Sequence, residues 1–172
     1  QRARLGMAEI SAPGGCEIGL RPIDLHLSSL RLMGAQIETE GGVLSCRCPD
    51  GLRGEKITLS FPSVGATENI LIAAASADGE TVILNAAREP EIADLADFLC
   101  SCGAHISGAG SGEITVCGMK KLHSAEHTVI PDRIIASTYM AAAAVTGGDV
   151  RILDTRAEHI TPVIPVFEQA GC

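Results

Sequence analysis

The chain repeats itself at a spacing of 69 residues. Pro62 and Pro131, Gly79 and Gly148, Leu84 and Leu153, and Glu89 and Glu158 all stand at that distance. Leu32-Met33-Gly34-Ala35-Gln36-Ile37 returns as Ser101-Cys102-Gly103-Ala104-His105-Ile106, also 69 residues on. A third copy of this feature begins at Gln169-Ala170-Gly171-Cys172. A repeat of this length is one supersecondary unit, packed on copies of itself around shared buried faces. It restricts the chain to architectures made by multiplying that unit.

The unit can be read from its own residues. Ala66, Ile70, Ala73, Ala74 and Ala77 recur at helical spacing after Ser63. Gly79 stands where a helix C-cap glycine is expected, and Thr81-Val82-Ile83-Leu84 reads as a buried strand. Pro90 opens a second helix at its first position, with Ile92, Leu95, Leu99 and Cys102 on its inner face and Gly103 ending it. Residues 104–107 and 114–116 then read as a hairpin through the glycine-rich stretch 108–112. A phosphate-binding glycine loop would lead into a helix, whereas these glycines lead into a strand pattern. The unit is therefore strand, helix, strand, helix, strand, strand, and the fold class is α/β.

Composition narrows the function. The core must be built from Ala, Ile, Leu and Val, because the chain has three Phe, one Tyr and no Trp. Few aromatics argue against a stacking surface for single-stranded nucleic acid. A net charge of −8 supplies no bulk basic field for nucleic acid or anionic lipid. No apolar run reaches the roughly 18 residues of a membrane span, and no signal peptide is seen, so a cytoplasmic protein is expected. Seven cysteines, an odd number, argue against a disulfide framework. The Cys46/Cys48 and Cys100/Cys102 pairs are too close for the usual zinc spacing, so no metal site is expected. His105, His123, His127 and His159 form no metal or nucleophile-base pattern.

One stretch stands out chemically. Pro13-Gly14-Gly15-Cys16 runs into Gly19-Leu20-Arg21-Pro22-Ile23-Asp24-Leu25-His26. Glycines let the backbone move and approach a ligand, and a thiol beside cationic groups gains thiolate character. From these residues alone, a reactive thiol beside an anion-binding arginine and a small cysteine in a surface turn remain equally open.

The stretch 13–26 resembles the active-site loop of the UDP-N-acetylglucosamine enolpyruvyl transferases. Supporting stretches are Ser63-Val64-Gly65-Ala66-Thr67, residues 85–92, Gly103-Ala104 with Ile106-Ser107-Gly108, and Pro131-Asp132-Arg133-Ile134. The likeness runs through the whole chain in order. It implies an inside-out α/β barrel built from such repeats in two domains, present here in part. Residues 1–130 would belong to the first domain, with an active-site loop at 11–22, and 131–172 would begin the second.

The implied reaction moves an enolpyruvyl group from phosphoenolpyruvate to the 3-hydroxyl of UDP-N-acetylglucosamine, releasing phosphate, in peptidoglycan precursor synthesis. Cys16 is implied as the catalytic proton donor and the residue alkylated by a fosfomycin-type inhibitor. Arg21, Pro22, Ile23, Asp24 and Leu25 would line the nucleotide-sugar site. Ser63, Val64 and Gly65 would meet the diphosphate and uridine. His26, Glu89 and Asp132 are further candidates, with helix capping or a structural contact as their alternative; Asp24 could equally cap the helix bearing Leu27 and Leu30. No cofactor is implied, and the partners are small-molecule substrates. The base for the sugar hydroxyl and other phosphoenolpyruvate ligands match no residue of this chain. Alternatives are the shikimate-pathway transferase, which lacks the cysteine loop, and a non-catalytic binding module.

Overall fold

A computed structural model describes residues 6–11 and 23–172. The stretch 12–22, with Cys16, Arg21 and Pro22, lies outside the described residues. The chain divides into two compact units, one running to His127 and the other covering Thr128–Cys172.

The first unit holds β1 (Met7–Ser11), α1 (Asp24–Leu32), β2 (Gln36–Glu40), β3 (Val43–Arg47), β4 (Lys56–Thr58), α2 (Val64–Ala74), β5 (Glu80–Leu84), α3 (Pro90–Ser101), β6 (His105–Ser107) and β7 (Glu113–Cys117). From β4 onward the order is the one read from the repeat. The four-stranded sheet runs β4-β5-β7-β6, with β4 parallel to β5 and the other neighbours antiparallel. Its strands alternate: Ile57, Ile83, Ile114 and Val116 are buried, while residues beside them face outward or stay half-covered. This is the pattern of a sheet with one face on the core. Ile70 and Leu71 of α2 and Ile92 and Leu99 of α3 complete that core. Each fully buried side chain of this size contributes about 1.5–3 kcal/mol. Alanines at 66, 74, 75 and 77 supply the small contacts that let α2 lie close.

The earlier residues form the same device. The three-stranded sheet runs β1-β3-β2, antiparallel throughout, as β5-β7-β6 does. Three helices end on matching left-handed glycines: Gly34 at φ 97°, Gly103 at 101° and Gly171 at 87°. Asn85 and Asp154, the two described non-glycine residues with positive φ, both take 56° and are one period apart. Asparagine and aspartate tolerate this region better than other side chains.

The second unit contains α4 (Arg133–Thr146), a single 3₁₀ turn (Ala157–His159) and α5 (Ile164–Ala170). Asp132 caps α4, accepting from the N–H groups of Ile134 and Ile135 at 2.8 and 3.0 Å. The left-handed Gly147 closes it at φ 62°.

Three expectations need correction. Gly79 is not the C-cap of α2: the helix ends at Ala74 with Ala75 as its cap, and Gly79 makes the left-handed turn into β5 at φ 95°. Short-range turns through Ser76 and Ala77 carry the chain between them. Asp24 is not an N-cap: Ile23 holds that position, and Asp24 is the first helical residue, where its carboxylate suits the helix dipole. The stretch 149–153, one period beyond β5, forms no strand. In the first unit β5 is bonded on both sides, whereas 149–153 has no strand partner among the described residues. The hairpin reading of 108–112 holds, with Gly108 and Gly110 left-handed at 81° and 84°. Among the described residues no helix is long and apolar enough to cross a membrane, and no cluster of His, Cys, Asp or Glu could hold a metal ion.

Thr67 ties two connections of the first unit together. Fully buried, its hydroxyl donates to the Ser63 carbonyl at 2.8 Å and accepts from the Ala87 N–H at 3.1 Å. Thr67→Val keeps the shape but leaves the Ala87 N–H unpaired. A buried unpaired donor costs about 1–3 kcal/mol. We expect a loss of that size in chemical denaturation; an unchanged midpoint would contradict the bridge.

Candidate active site

The site begins with two helix entrances. α2 opens on Ser63, whose Oγ accepts from the Ala66 N–H at 3.3 Å. Ser63 is extended and the helix follows at once, so Val64 and Gly65 sit in the first turn. An α-helix leaves its first N–H groups without intrahelical acceptors, and its dipole favours negative charge there. The entrance thus offers backbone donors and partial positive charge with no lysine or arginine of its own.

α1 brings the second entrance beside the first. It carries Asp24, Leu25 and His26 in its opening turn and packs along α2. His26 Nδ1 lies 2.5 Å from Asn69 Nδ2 of α2. Its ring also covers Gly65: a Cβ built there would stand 3.3 Å from His26 Cε1. His26, and with it the opening turn of α1, is therefore set against Gly65 in the first turn of α2. Arg21, Pro22 and Cys16 precede α1 in sequence but lie outside the described residues.

A third turn is joined to the same entrance. The connection from β5 to α3 runs Asn85-Ala86-Ala87-Arg88-Glu89. Ala87 bonds to Thr67 of α2, and Asn85 Nδ2 donates to the Leu59 carbonyl at 3.0 Å. Glu89 takes the N-cap position of α3 without a side-chain cap bond; its Oε2 accepts from the Arg88 N–H at 2.9 Å. Glu89 is thus tied to its own turn. Asp132 belongs to the other unit, where its carboxylate accepts the two capping bonds of α4.

Sequence reasoning missed Thr67 and Asn69, although a signal existed. Ser63 and Thr67, and Gly65 and Asn69, are each four apart and so share a helix face. Two histidines left unassigned have structural contacts. His127 Nε2 meets Asp94 Oδ1 at 2.9 Å and its ring lies 5.6 Å from Phe98. His123 donates its backbone N–H to the Cys102 carbonyl at 2.9 Å. Both fasten the segment after β7 to α3. Of the described cysteines, Cys46, Cys48 and Cys102 are buried, while Cys100, Cys117 and Cys172 are exposed, and none of the six forms a disulfide.

Comparison with known proteins fits this layout. A UDP-N-acetylglucosamine 1-carboxyvinyltransferase from Acidiphilium cryptum is 53% identical over 169 residues, covering 98% of this chain and 40% of the relative. One of two such proteins from Caldanaerobacter subterraneus subsp. tengcongensis is 56% identical over 169 residues, with the same coverage. The chain thus spans about 40% of the length of these curated relatives. Among solved structures, the enolpyruvyl transferase NikO from Streptomyces tendae matches with a TM-score of 0.69 at 23% identity, covering 83% of this chain and 34% of that one. An EPSP synthase from Acinetobacter baumannii matches at 0.61 and 29% identity, covering 81% and 31%. The described strands make two open sheets, a part of the enolpyruvyl transferase fold. The family model described as EPSP synthase (3-phosphoshikimate 1-carboxyvinyltransferase) matches residues 2–172, and the chain belongs to that family.

Proposed function

We propose that this chain is part of an enzyme that transfers enolpyruvyl from phosphoenolpyruvate to the 3-hydroxyl of UDP-N-acetylglucosamine, a step toward peptidoglycan precursors. The observation that carries the reading is the meeting of α1 and α2 at their entrances, where His26 and Asn69 join segments 43 positions apart. The names of the relatives at 53% and 56% identity support the nucleotide sugar as acceptor.

In this reading, Ser63, Val64 and Gly65 receive the diphosphate on helix N–H groups, and Arg21 adds a guanidinium suited to paired oxygens. Residues 22–25 line the rest of the sugar-nucleotide site. The sugar hydroxyl gives its proton to a base that matches no residue of this chain and forms a new C–O bond at C2 of phosphoenolpyruvate, while Cys16 delivers a proton to the C3 methylene. Loss of a proton from the resulting methyl group and departure of phosphate restore the vinyl group. A positioned acid contributes about 10²–10⁴-fold to such a step. Cys16 is also the residue a fosfomycin-type epoxide would alkylate. In the same reading, the stretch to about residue 130 is part of one domain and 131–172 starts another.

The test is phosphate release from phosphoenolpyruvate by the full-length polypeptide carrying this chain, with each candidate acceptor. Release with UDP-N-acetylglucosamine and none with shikimate 3-phosphate is expected. The reverse preference would place the protein with the shikimate transferases, and release with neither would leave a binding module. The 172-residue chain alone is expected to be inactive, because the remaining phosphoenolpyruvate ligands match none of its residues.

A further inference from the structure

We infer that His26, held by Asn69 over Gly65, is a positioning residue that sets the nucleotide-sugar segment of α1 against the entrance of α2. The inference rests on the function proposed above and gives that site a joint.

Gly65 is the first clue. It is the second residue of α2, in the first turn. It is not among the glycines with positive φ, so backbone conformation does not require it. What packs against it is the His26 ring. A Cβ at position 65 would stand 3.3 Å from Cε1 and 3.7 Å from Nε2, closer to Cε1 than side-chain carbons ordinarily pack. The missing side chain makes the seat for the ring.

Asn69 is the second clue. It stands one turn beyond Gly65 on the same face of α2 and engages Nδ1 of the imidazole. With Nδ1 occupied and Cε1 over Gly65, the ring is held from two sides. Ile23 to Leu25, on the same turn as the ring, are thereby fixed relative to the entrance of α2. One turn of α1 carries both the ring and the substrate-lining residues, so a shift of the ring moves them together. Misplacement of about an ångström can cost as much as 10²-fold.

Steady-state kinetics on the full-length polypeptide test the joint. His26→Ala and Asn69→Ala should each raise the KM for UDP-N-acetylglucosamine about tenfold, with kcat and the KM for phosphoenolpyruvate within about twofold. The double variant should be no worse than either single one, because both remove one contact. Gly65→Ala should raise the same KM in the wild type and add nothing in the His26→Ala background, where no ring remains to be displaced. His26→Gln, which can still bond to Asn69, should recover part of the loss. Full additivity of His26→Ala with Asn69→Ala, or a kcat loss with unchanged KM, would overturn the inference while leaving the reaction intact. A wild-type protein that does not use UDP-N-acetylglucosamine would instead overturn the proposed function, and this inference with it.

Discussion

Gly118→Ala is expected to cost the first unit more than about 3 kcal/mol, enough to remove much of a typical domain's stability of about 5–15 kcal/mol. Gly118 follows β7 directly, and its N–H donates to the Gly79 carbonyl at 3.0 Å. A Cβ there would lie 1.8 Å from the Ala77 carbonyl oxygen, 2.8 Å from its carbon and 2.9 Å from the Ala74 oxygen. All three atoms are backbone, of Ala74 at the end of α2 and of Ala77 in the turn after it, so no side chain can swing aside. Relief requires β7 to part from the α2 terminus, which would uncover Ile114 and Val116, both fully buried. Gly112→Ala is the control. Its Cβ would approach the Arg88 Nη2 at 2.8 Å, the tip of a long exposed side chain that can move. Urea midpoints of the two variants should differ widely, with Gly112→Ala near the wild type. Equal midpoints would contradict the close docking of β7 on α2.

The second large effect is chemical. Cys16→Ser should lower kcat of the full-length polypeptide by about 10²–10⁴-fold, the usual contribution of a positioned acid, while the KM for UDP-N-acetylglucosamine changes little. A serine hydroxyl is nearly the same size as the thiol and a far weaker acid. If Arg21 and the α2 entrance hold the nucleotide sugar as proposed, its binding should survive the change. A kcat within threefold of wild type would remove Cys16 from the proton transfer. A tenfold rise in KM at unchanged kcat would make it a binding residue instead.

The repeat was the most legible feature of this chain, because it is written in local chemistry. Glycines 34, 103 and 171 recur where helices end in the left-handed region, which glycine alone enters freely. Pro90 marks a helix start, and the alternation of Thr81, Ile83, Ile114 and Val116 marks strands with one buried face. Gly79 misled because a helix need not run to the glycine that follows it. The three-stranded sheet was not read: its β1–β3 pairing joins Met7 to Arg47, and nothing local announces such a partner. The β2–β3 turn did carry a signal, since Gly41 and Gly42 both take positive φ, at 56° and 77°, as a tight hairpin requires.

The site divides along the same line. Ser63 as a helix entrance follows from serine before an apolar helical pattern. The pairing of His26 with Asn69 does not, because their 43-residue separation is bridged by tertiary packing of α1 on α2. Glu89 and Asp132 were candidates on motif alone. The structure ties each to a helix entrance, Asp132 as a cap and Glu89 to the Arg88 N–H.

The central claim is that the Cys16 stretch and the α2 entrance serve one nucleotide-sugar site. Peptide mass spectrometry after exposure of the full-length polypeptide to fosfomycin, with and without UDP-N-acetylglucosamine, tests it most directly. The account predicts an adduct on the peptide containing Cys16, formed faster with the nucleotide sugar, and loss of that acceleration when Ser63→Ala and Gly65→Ala are combined. An adduct confined to other cysteines, or a Cys16 labelling rate indifferent to both the sugar and the α2 substitutions, would contradict it.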